Sequence, residues 1–287
     1  MVPPIQKEKA EKLLKFHHDE EILVLLNSWD IGSSRLIEAC GYKAIATTSM
    51  GMAAALGYPD CQVMQLSEMI NIITGIVKGV QAPVTVDIEA GYGNNLDEIT
   101  DSVKKIIATG IAGINIEDSI DLSPVLIDEI AFCERIAAIR ALSNSLGFHL
   151  VINARTDSFY TSSGSPKEKL SESIRRGNKY REAGADCIFV QPVSDKATIA
   201  TLVKEINAPL NILLNPTIGE GIPPSIRQLQ DMGVARLSLG SSLMKATLAL
   251  IKKVADEIVT YGTSDILLDA MMPVSETTLA YKMAIGR

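Results

Sequence analysis

Asp87 and Glu89 stand two residues apart, and Glu117 closes a second short run of the same character. Side chains alternate along a β-strand, so residues two apart share a face. In Val84–Glu89 this groups Thr85, Asp87 and Glu89. In Gly113–Glu117 it pairs Asn115 with Glu117, and in Leu150–Arg155 it aligns Val151, Asn153 and Arg155. Cys187, Phe189 and Gln191 line up likewise, as do Asn211, Leu213 and Asn215. Carboxylates gathered this closely repel unless they are protonated or matched by a cation. Oxygen ligands without histidine suit Mg²⁺ or Mn²⁺ rather than zinc. Mg²⁺ keeps much of its water, so Asp87 is the expected direct ligand, with Glu89 and Glu117 acting through water. Asp60 and Asp118 are expected nearby on loops. The competing expectation, structural ion pairs with Lys or Arg, has one matching strand-end cation, Arg155.

Arg155 offers a planar fork suited to a substrate carboxylate; charge balance for Glu117 or Asp157 is the other role open to it. His17, His18 and His149 all lie away from strand C-termini, and no Lys ends a strand. A histidine base, a Ser-His-Asp triad and a Schiff base are therefore disfavoured. The turn Thr48-Ser49-Met50-Gly51 can present N–H groups to an oxyanion. Arg155, Glu117, Thr48 and Ser49 are the expected catalytic groups, working on an enolate beside a carboxylate. Gly240-Ser241-Ser242 opens the last helix, where a helix cap is favoured over a phosphate-holding turn.

These residues need a scaffold that brings strand ends to one place. Eight β-rich runs alternate with helical segments: Ile22–Asn27, Ala44–Thr48, Val84–Glu89, Gly113–Glu117, Leu150–Arg155, Cys187–Gln191, Asn211–Asn215 and Arg236–Gly240. Such alternation implies right-handed βαβ units and a parallel sheet. An open doubly wound sheet would concentrate polar strand ends at one switch point and carry a Gly-rich fingerprint, which is missing. Polar ends spread over nearly all runs predict an α/β fold of the closed (β/α)₈ TIM-barrel type. Ser33 is expected to cap a helix reaching Cys40, Asn95 one reaching Ala108, and Ser165 one reaching Ala183. Residues 1–287 read as one domain. Residues 262–287 form a C-terminal helical extension that either folds back on its own barrel or packs on a partner subunit, as an oligomerisation element swapped between subunits.

A length of 287 residues suits one α/β barrel. A net charge of −7 without a basic stripe argues against nucleic acid and acidic membrane surfaces as partners. No apolar run is long enough to span a bilayer, and no signal peptide is visible. Four cysteines without a CxxC pair suit a reducing compartment, so a cytoplasmic location is expected. Cys40, Cys133 and Cys187 read as buried thiols.

Six segments, in order and on the right strands, resemble the isocitrate lyase / phosphoenolpyruvate mutase superfamily. They are Asn27-Ser28-Trp29-Asp30 with Ser34-Arg35, Thr48–Gly51 with Leu56–Asp60, Val86–Gly93, Gly113–Asp118, Ile152–Asp157 and Gly184-Ala185-Asp186. The resemblance runs from about Leu25 to about Ala246. It implies Mg²⁺ at a barrel mouth, a small-molecule 2-oxo acid or its enolate as ligand, and a homodimer or homotetramer with exchanged C-terminal helices. It implies a metal site of Asp60, Asp87, Glu89 and Glu117. It implies substrate contacts from Trp29, Thr48, Ser49, Met50, Gly51, Arg155, Gln191 and Asn215. Departures bear on the reaction. Isocitrate and methylisocitrate lyases carry a Lys-Lys/Arg-Cys-Gly-His loop where this chain has Ser119–Leu126, without Cys, Lys or His. The Lys and Asn-Ser pair of phosphonopyruvate-processing members is also absent, though Ser119 and Ser123 are near, and Gln191 stands where His or Glu is common. Cys61 beside Asp60 is a possible acid, with a spectator thiol favoured. The expected function is a Mg-dependent carbon-carbon lyase acting on a 2-oxo acid or 2-hydroxy di- or tricarboxylate, including oxaloacetate-type decarboxylation to pyruvate. The alternatives are phosphonopyruvate-type P–C mutase or hydrolase chemistry, and a catalytically silent dicarboxylate-binding barrel.

Overall fold

A ring of parallel strands organises the chain. The computed structural model describes residues 2–120, 125–161, 163–215 and 223–285. Positions 121–124 of the stretch after Glu117, Ser123 among them, and 286–287 of the C-terminal extension lie outside the described residues. The strand segments are β1 (Leu23–Leu25), β2 (Asn27–Ser28), β3 (Ile45–Thr47), β4 (Val84–Asp87), β5 (Gly113–Glu117), β6 (Val151–Thr156), β7 (Cys187–Val190), β8 (Leu210–Leu213) and β9 (Arg236–Ser238). Their order is β1-β9-β8-β7-β6-β5-β4-β3-β2. β1 and β2 are halves of one strand, parted at Leu26. The first half pairs with β9 and the second with β3, so the ring closes on itself. The fold is the (β/α)₈ barrel, with the first expected run split in two as it passes from one neighbour to the other.

Alternation sorts each strand into two faces. Val86, Ile114, Ile116, Ile152, Ala154, Ile188, Ile212 and Leu237 are buried in the hydrophobic core, on the face opposite the polar series Thr85, Asp87, Asn115, Glu117, Asn153, Arg155, Asn211, Arg236 and Ser238. Helices with one apolar stripe cover the outer face. Leu96–Ile107 shows the pattern, with Ile99, Val103, Ile106 and Ile107 buried. Asn95 caps it by accepting from the Glu98 N–H, and Ser165 caps Pro166–Ala183 in a capping box. The helix Ile31–Ala39 differs from expectation: its cap is Asp30, whose side chain accepts from the Ser33 N–H, while Ser33 reciprocates from the third helical position. Cys40 ends that helix exposed rather than buried, because its C-cap position turns toward solvent. Cys133 is half-buried and Cys187 fully buried.

The helix Pro4–Phe16 closes the N-terminal end of the barrel. Gln6 donates to the carbonyls of Ile107 and Ile111 at 2.9 Å, at the turn that feeds β5. His149 and Asp186 meet at 2.7 Å just before β6 and β7, and Arg140 binds Asp186 at 2.6 Å. Polar groups at this end serve stability, leaving the C-terminal end for chemistry. In the extension, Val274–Ile285 packs on the chain's own Ile31–Ala39 helix, with Ala280 buried and the Tyr281 hydroxyl over Gly32. Among the described residues no helix is long and apolar enough to cross a membrane.

Candidate active site

The C-terminal ends of the strands open into one cavity of about 410 Å³. Asp60, Asp87, Glu89, Glu117 and Arg155 all line it, with Thr48, Ser49, Met50, Gln191 and Asn215. Trp29 and Gly51 do not form part of its wall. They support the turn from behind: a Cβ at Gly51 would fall 2.6 Å from Thr48 Cγ2 and 2.8 Å from Trp29 Cβ. Only glycine lets the turn lie this close to Trp29. Asp118 also departs from expectation. It is fully buried outside the cavity, accepting from Tyr180 Oη at 2.6 Å and from the Asp157 N–H at 2.9 Å, with Arg176 at 3.3 Å. It follows Glu117 directly, so alternation turns it to the opposite face.

Strand register positions Asp87 and Glu117, while Glu89 lies in the turn just past β4 and Asp60 in a loop. Asp87 pairs with Asn115, and Asn115 with Asn153. Asn115 Nδ2 accordingly donates to Asp87 Oδ1 at 3.1 Å, while its Oδ1 accepts from Asn153 at 2.8 Å. Ser49 donates to Asp87 Oδ2 from both its hydroxyl, at 2.9 Å, and its backbone, at 3.2 Å. The turn and Asp87 are thus one hydrogen-bonded unit. Glu89 accepts from the Gln62 N–H at 2.6 Å and from Tyr92 Oη at 3.0 Å. Among the described residues, the non-glycine positions with positive φ are Cys61, Gln62, Glu89 and Tyr92. All four belong to this corner, and such conformations persist where surrounding contacts over-determine them.

The charges are not balanced by protein alone. Burial, then repulsion by Asp87 and Asp60, raises the Glu89 pKa to about 7. Burial and Asp87 also raise Asp60. Burial raises Glu117 well above the usual carboxylate range, against the opposing pull of Arg155. Burial lowers Arg155, but Asp157 and Glu117 outweigh it and hold the guanidinium above its ordinary value. Arg155 shares itself: Nη1 meets Glu117 Oε2 at 2.5 Å, Nε and Nη2 meet Asp157 at 2.7 and 2.8 Å, and the Gln191 amide oxygen, turned toward the guanidinium, accepts from Nη1 and Nη2. Its fork is occupied by protein partners in this arrangement. Glu117 is left with one arm of a divided cation, so burial prevails there.

The acids therefore suit a divalent cation by donor type and by their raised proton affinity. Among the described residues, no three acidic, histidine or cysteine side chains converge into a ready-made cage. No histidine lines the cavity among the described residues. Tyr160, Arg236 and Lys245 line it and were not singled out from sequence; Asp157, expected only as a charge partner of Arg155, and Phe189, expected only on the face shared with Cys187 and Gln191, line it as well. The same alternation that grouped Asp87 with Glu89 would have grouped Arg236 with Ser238. Ser241 takes the cap position of the helix Ser242–Tyr261 but makes no side-chain capping bond, and it too lines the cavity.

Residues 13–259 match the family described as phosphoenolpyruvate phosphomutase. An uncharacterized protein of Mycobacterium tuberculosis H37Rv is 34% identical over 78% of this chain and 80% of its own length. The 2-methylisocitrate lyase of Escherichia coli K12 is 26% identical over 90% of this chain and 86% of its own. A crystal structure of a candidate lyase/mutase from Burkholderia cenocepacia J2315 superposes with a TM-score of 0.87 at 28% identity, covering 96% of each chain.

Proposed function

The chain belongs to the phosphoenolpyruvate phosphomutase family, and from that membership and the geometry of the mouth we propose a Mg²⁺- or Mn²⁺-dependent carbon-carbon lyase that works through an enolate: it breaks the C3–C4 bond of a 2-oxo acid, leaving the electron pair on C3 beside the C2 carbonyl, or the C2–C3 bond of a 2-hydroxy di- or tricarboxylate, leaving the pair on C3 beside a carboxylate. The observation that carries this reading is the set of four carboxylates, Asp60, Asp87, Glu89 and Glu117, around one cavity, with Asp60 raised from its ordinary value, Glu89 raised to about 7 and Glu117 raised well above the usual carboxylate range. Such a set is stable as anions only with added positive charge. Asp87 would bind the ion directly, with Glu89, Glu117 and Asp60 through water. When bound, the ion supplies charge that stabilises an anionic oxygen.

The chain's own residues do the rest. Ser49 and Asn115 fix both oxygens of Asp87. Gln62 and Tyr92 fix Glu89. The Thr48–Met50 turn heads a short helix; its Thr48 N–H goes to the Ser28 carbonyl and its Ser49 N–H to Asp87, so Met50 is the residue of the turn whose backbone amide is offered to a substrate oxyanion or carboxylate. Arg155 holds Glu117 and Asp157 in place and brings a positive charge to the wall of the cavity. Glu117, with its raised proton affinity, is suited to hold a proton at the mouth. Oxaloacetate-type decarboxylation asks least of such a site, since no protein base is needed to start it.

An assay with and without Mg²⁺ that reads pyruvate released from oxaloacetate and 2-methylisocitrate, and glyoxylate released from isocitrate, tests the reading. No turnover of any of them by folded, Mg²⁺-saturated protein discards it. The family match itself favours a second reading, phosphonopyruvate-type P–C chemistry. Phosphorus NMR on phosphonopyruvate separates the two. A homodimer or homotetramer is part of the proposal, supported by Val259, Leu268 and Val274, which are 87%, 81% and 81% exposed on the C-terminal helices.

A further inference from the structure

The barrel interior holds a cation that the chemistry of the mouth does not use. Arg236 opens β9 and shares a face with Ser238. It is 2% exposed, yet it forms part of the wall of the cavity that Asp87 lines. A guanidinium taken out of water normally has a carboxylate beside it, because an unpaired buried charge is costly. Among the described residues, no carboxylate lies within ion-pair distance of Arg236. Asp87 acts on it from farther away and gives its own oxygens to Ser49 and Asn115.

The donors of Arg236 are correspondingly under-used. Nε has no hydrogen-bond partner. Nη1 makes one long contact, 3.5 Å, with His17 Nε2. His17 Nδ1 sits 2.8 Å from the Leu13 carbonyl, so Nδ1 carries the proton and Nε2 the lone pair. A neutral imidazole caps one corner of the guanidinium from the N-terminal end of the barrel without cancelling its charge. Thr85 Oγ1, on another part of the same wall, is also buried without a partner. Thus an N–H and an O–H in one chamber both lack an acceptor.

The other cations of the cavity do not share this condition. Arg155 divides its donors among Glu117, Asp157 and Gln191. Lys245 is exposed, where bulk water solvates it. We propose that the part of the cavity walled by Arg236, with Arg236 as its cation, binds one small anionic group: a carboxylate of a bound organic acid or a free monovalent inorganic anion. The site is independent of the lyase reading, since it follows from the burial of Arg236 whatever reaction the mouth performs.

Crystals of the full chain soaked in sodium bromide, and separately in sodium malonate, test this. An anomalous bromide peak within hydrogen-bond distance of Arg236 Nε assigns the site to a free inorganic anion. A malonate carboxylate there assigns it to an organic acid. Water at that place in both soaks overturns the proposal. In solution, chloride should stabilise the protein against heat relative to the bulky sulfonate HEPES at equal ionic strength. Its affinity should fall about tenfold or more in Arg236→Met and recover in part in Arg236→Lys. A bromide peak combined with unchanged chloride stabilisation in both variants marks an adventitious ion and also overturns it. If Arg236→Met does not fold, Arg236→Lys and the wild-type soaks decide. Turnover enters neither readout, so failure of the lyase assay leaves the result unaffected.

Discussion

Glu117 and Arg155 are register partners on the adjacent strands β5 and β6, and their side chains meet at 2.5 Å where those strands open into the cavity. The pairing ties an acid of the mouth to the one guanidinium that also grips Asp157 from two atoms. Lysine carries the charge but not the fork. Arg155→Lys should therefore lose at least about a hundredfold in kcat, as removal of a positioned donor does, while Mg²⁺ affinity changes less than about tenfold. Steady-state kinetics beside Mg²⁺ calorimetry separates the two effects. Near-normal kcat in Arg155→Lys would show that the fork does not matter.

Asp87→Asn keeps the shape of the side chain and removes its charge. Asn115 and Ser49 both donate to Asp87, so the amide nitrogen of the variant faces a donor whichever way it turns. The expected outcome is loss of Mg²⁺ affinity by about a hundredfold or more, beyond what an outer partner costs, with loss of turnover in step. Calorimetric Mg²⁺ titration of the folded variant checks it. Unchanged affinity would remove Asp87 from the direct-ligand role.

Gly51→Ala tests the support behind the turn. The added Cβ would fall 2.6 Å from Thr48 Cγ2 and 2.8 Å from Trp29 Cβ. Something must shift, and overpacking of this kind costs about 1–3 kcal/mol. Thermal unfolding should show the loss, and KM for the acid substrate should rise because the turn moves. Trp29→Ala in the same background should return part of both.

Much of this arrangement was legible because it is periodic. The two-residue alternation separates Asp87 and Glu117 from the apolar face, whereas Glu89, expected on the same strand, lies past its end in a turn with positive φ; caps such as Asn95 and Ser165 mark helix starts by local chemistry. What escaped depends on contacts between distant residues. The saturation of Arg155 follows from partners on two other elements, Glu117 and Gln191, and spacing along one strand cannot show it. Asp118 was expected near the mouth, but its partners Tyr180 and Arg176 belong to a helix more than fifty residues away in sequence and hold it outside the cavity. Arg236 runs against the rule that charged residues are rarely buried unpaired. Cys40 looks like a core thiol by its neighbours, and only the end of its helix decides that it is exposed.

His17 gives the stability a defined pH dependence. Burial first, then the charge of Arg236, lowers its pKa from 6.5 to about 4 in the folded protein. Between those values the unfolded chain binds a proton that the native state refuses. The contribution is therefore fully present above pH 6.5 and is lost as pH falls toward about 4. The size is roughly 3 kcal/mol. Chemical unfolding of wild type and His17→Gln at pH 7 and at pH 4.5 isolates it. The stability gap between the two proteins should move in favour of the variant at the lower pH. A gap that does not change with pH would show that His17 is not held neutral.

Asp118→Asn asks whether a residue outside the cavity sets the geometry within it. Asp118 accepts from the Asp157 N–H at 2.9 Å and from Tyr180 Oη at 2.6 Å, with the Arg176 cation at 3.3 Å. It is fully buried, so neutralising it leaves Arg176 short of a partner at a cost of about 3–5 kcal/mol. Glu172, which also binds Arg176, should soften that loss. The consequence for the site runs through Asp157, whose backbone Asp118 anchors and whose carboxylate positions Arg155. A merely structural role would lower stability and leave kcat unchanged in the fraction that stays folded. A positioning role predicts a kcat lowered with KM and Mg²⁺ affinity held, because Asp87 and the Thr48–Met50 turn are fixed independently by Ser49 and Asn115. Kinetics below the variant's melting range, on protein verified as folded by circular dichroism, distinguishes the two. Full kcat at reduced stability would confine Asp118 to holding β5, β6 and their helix together.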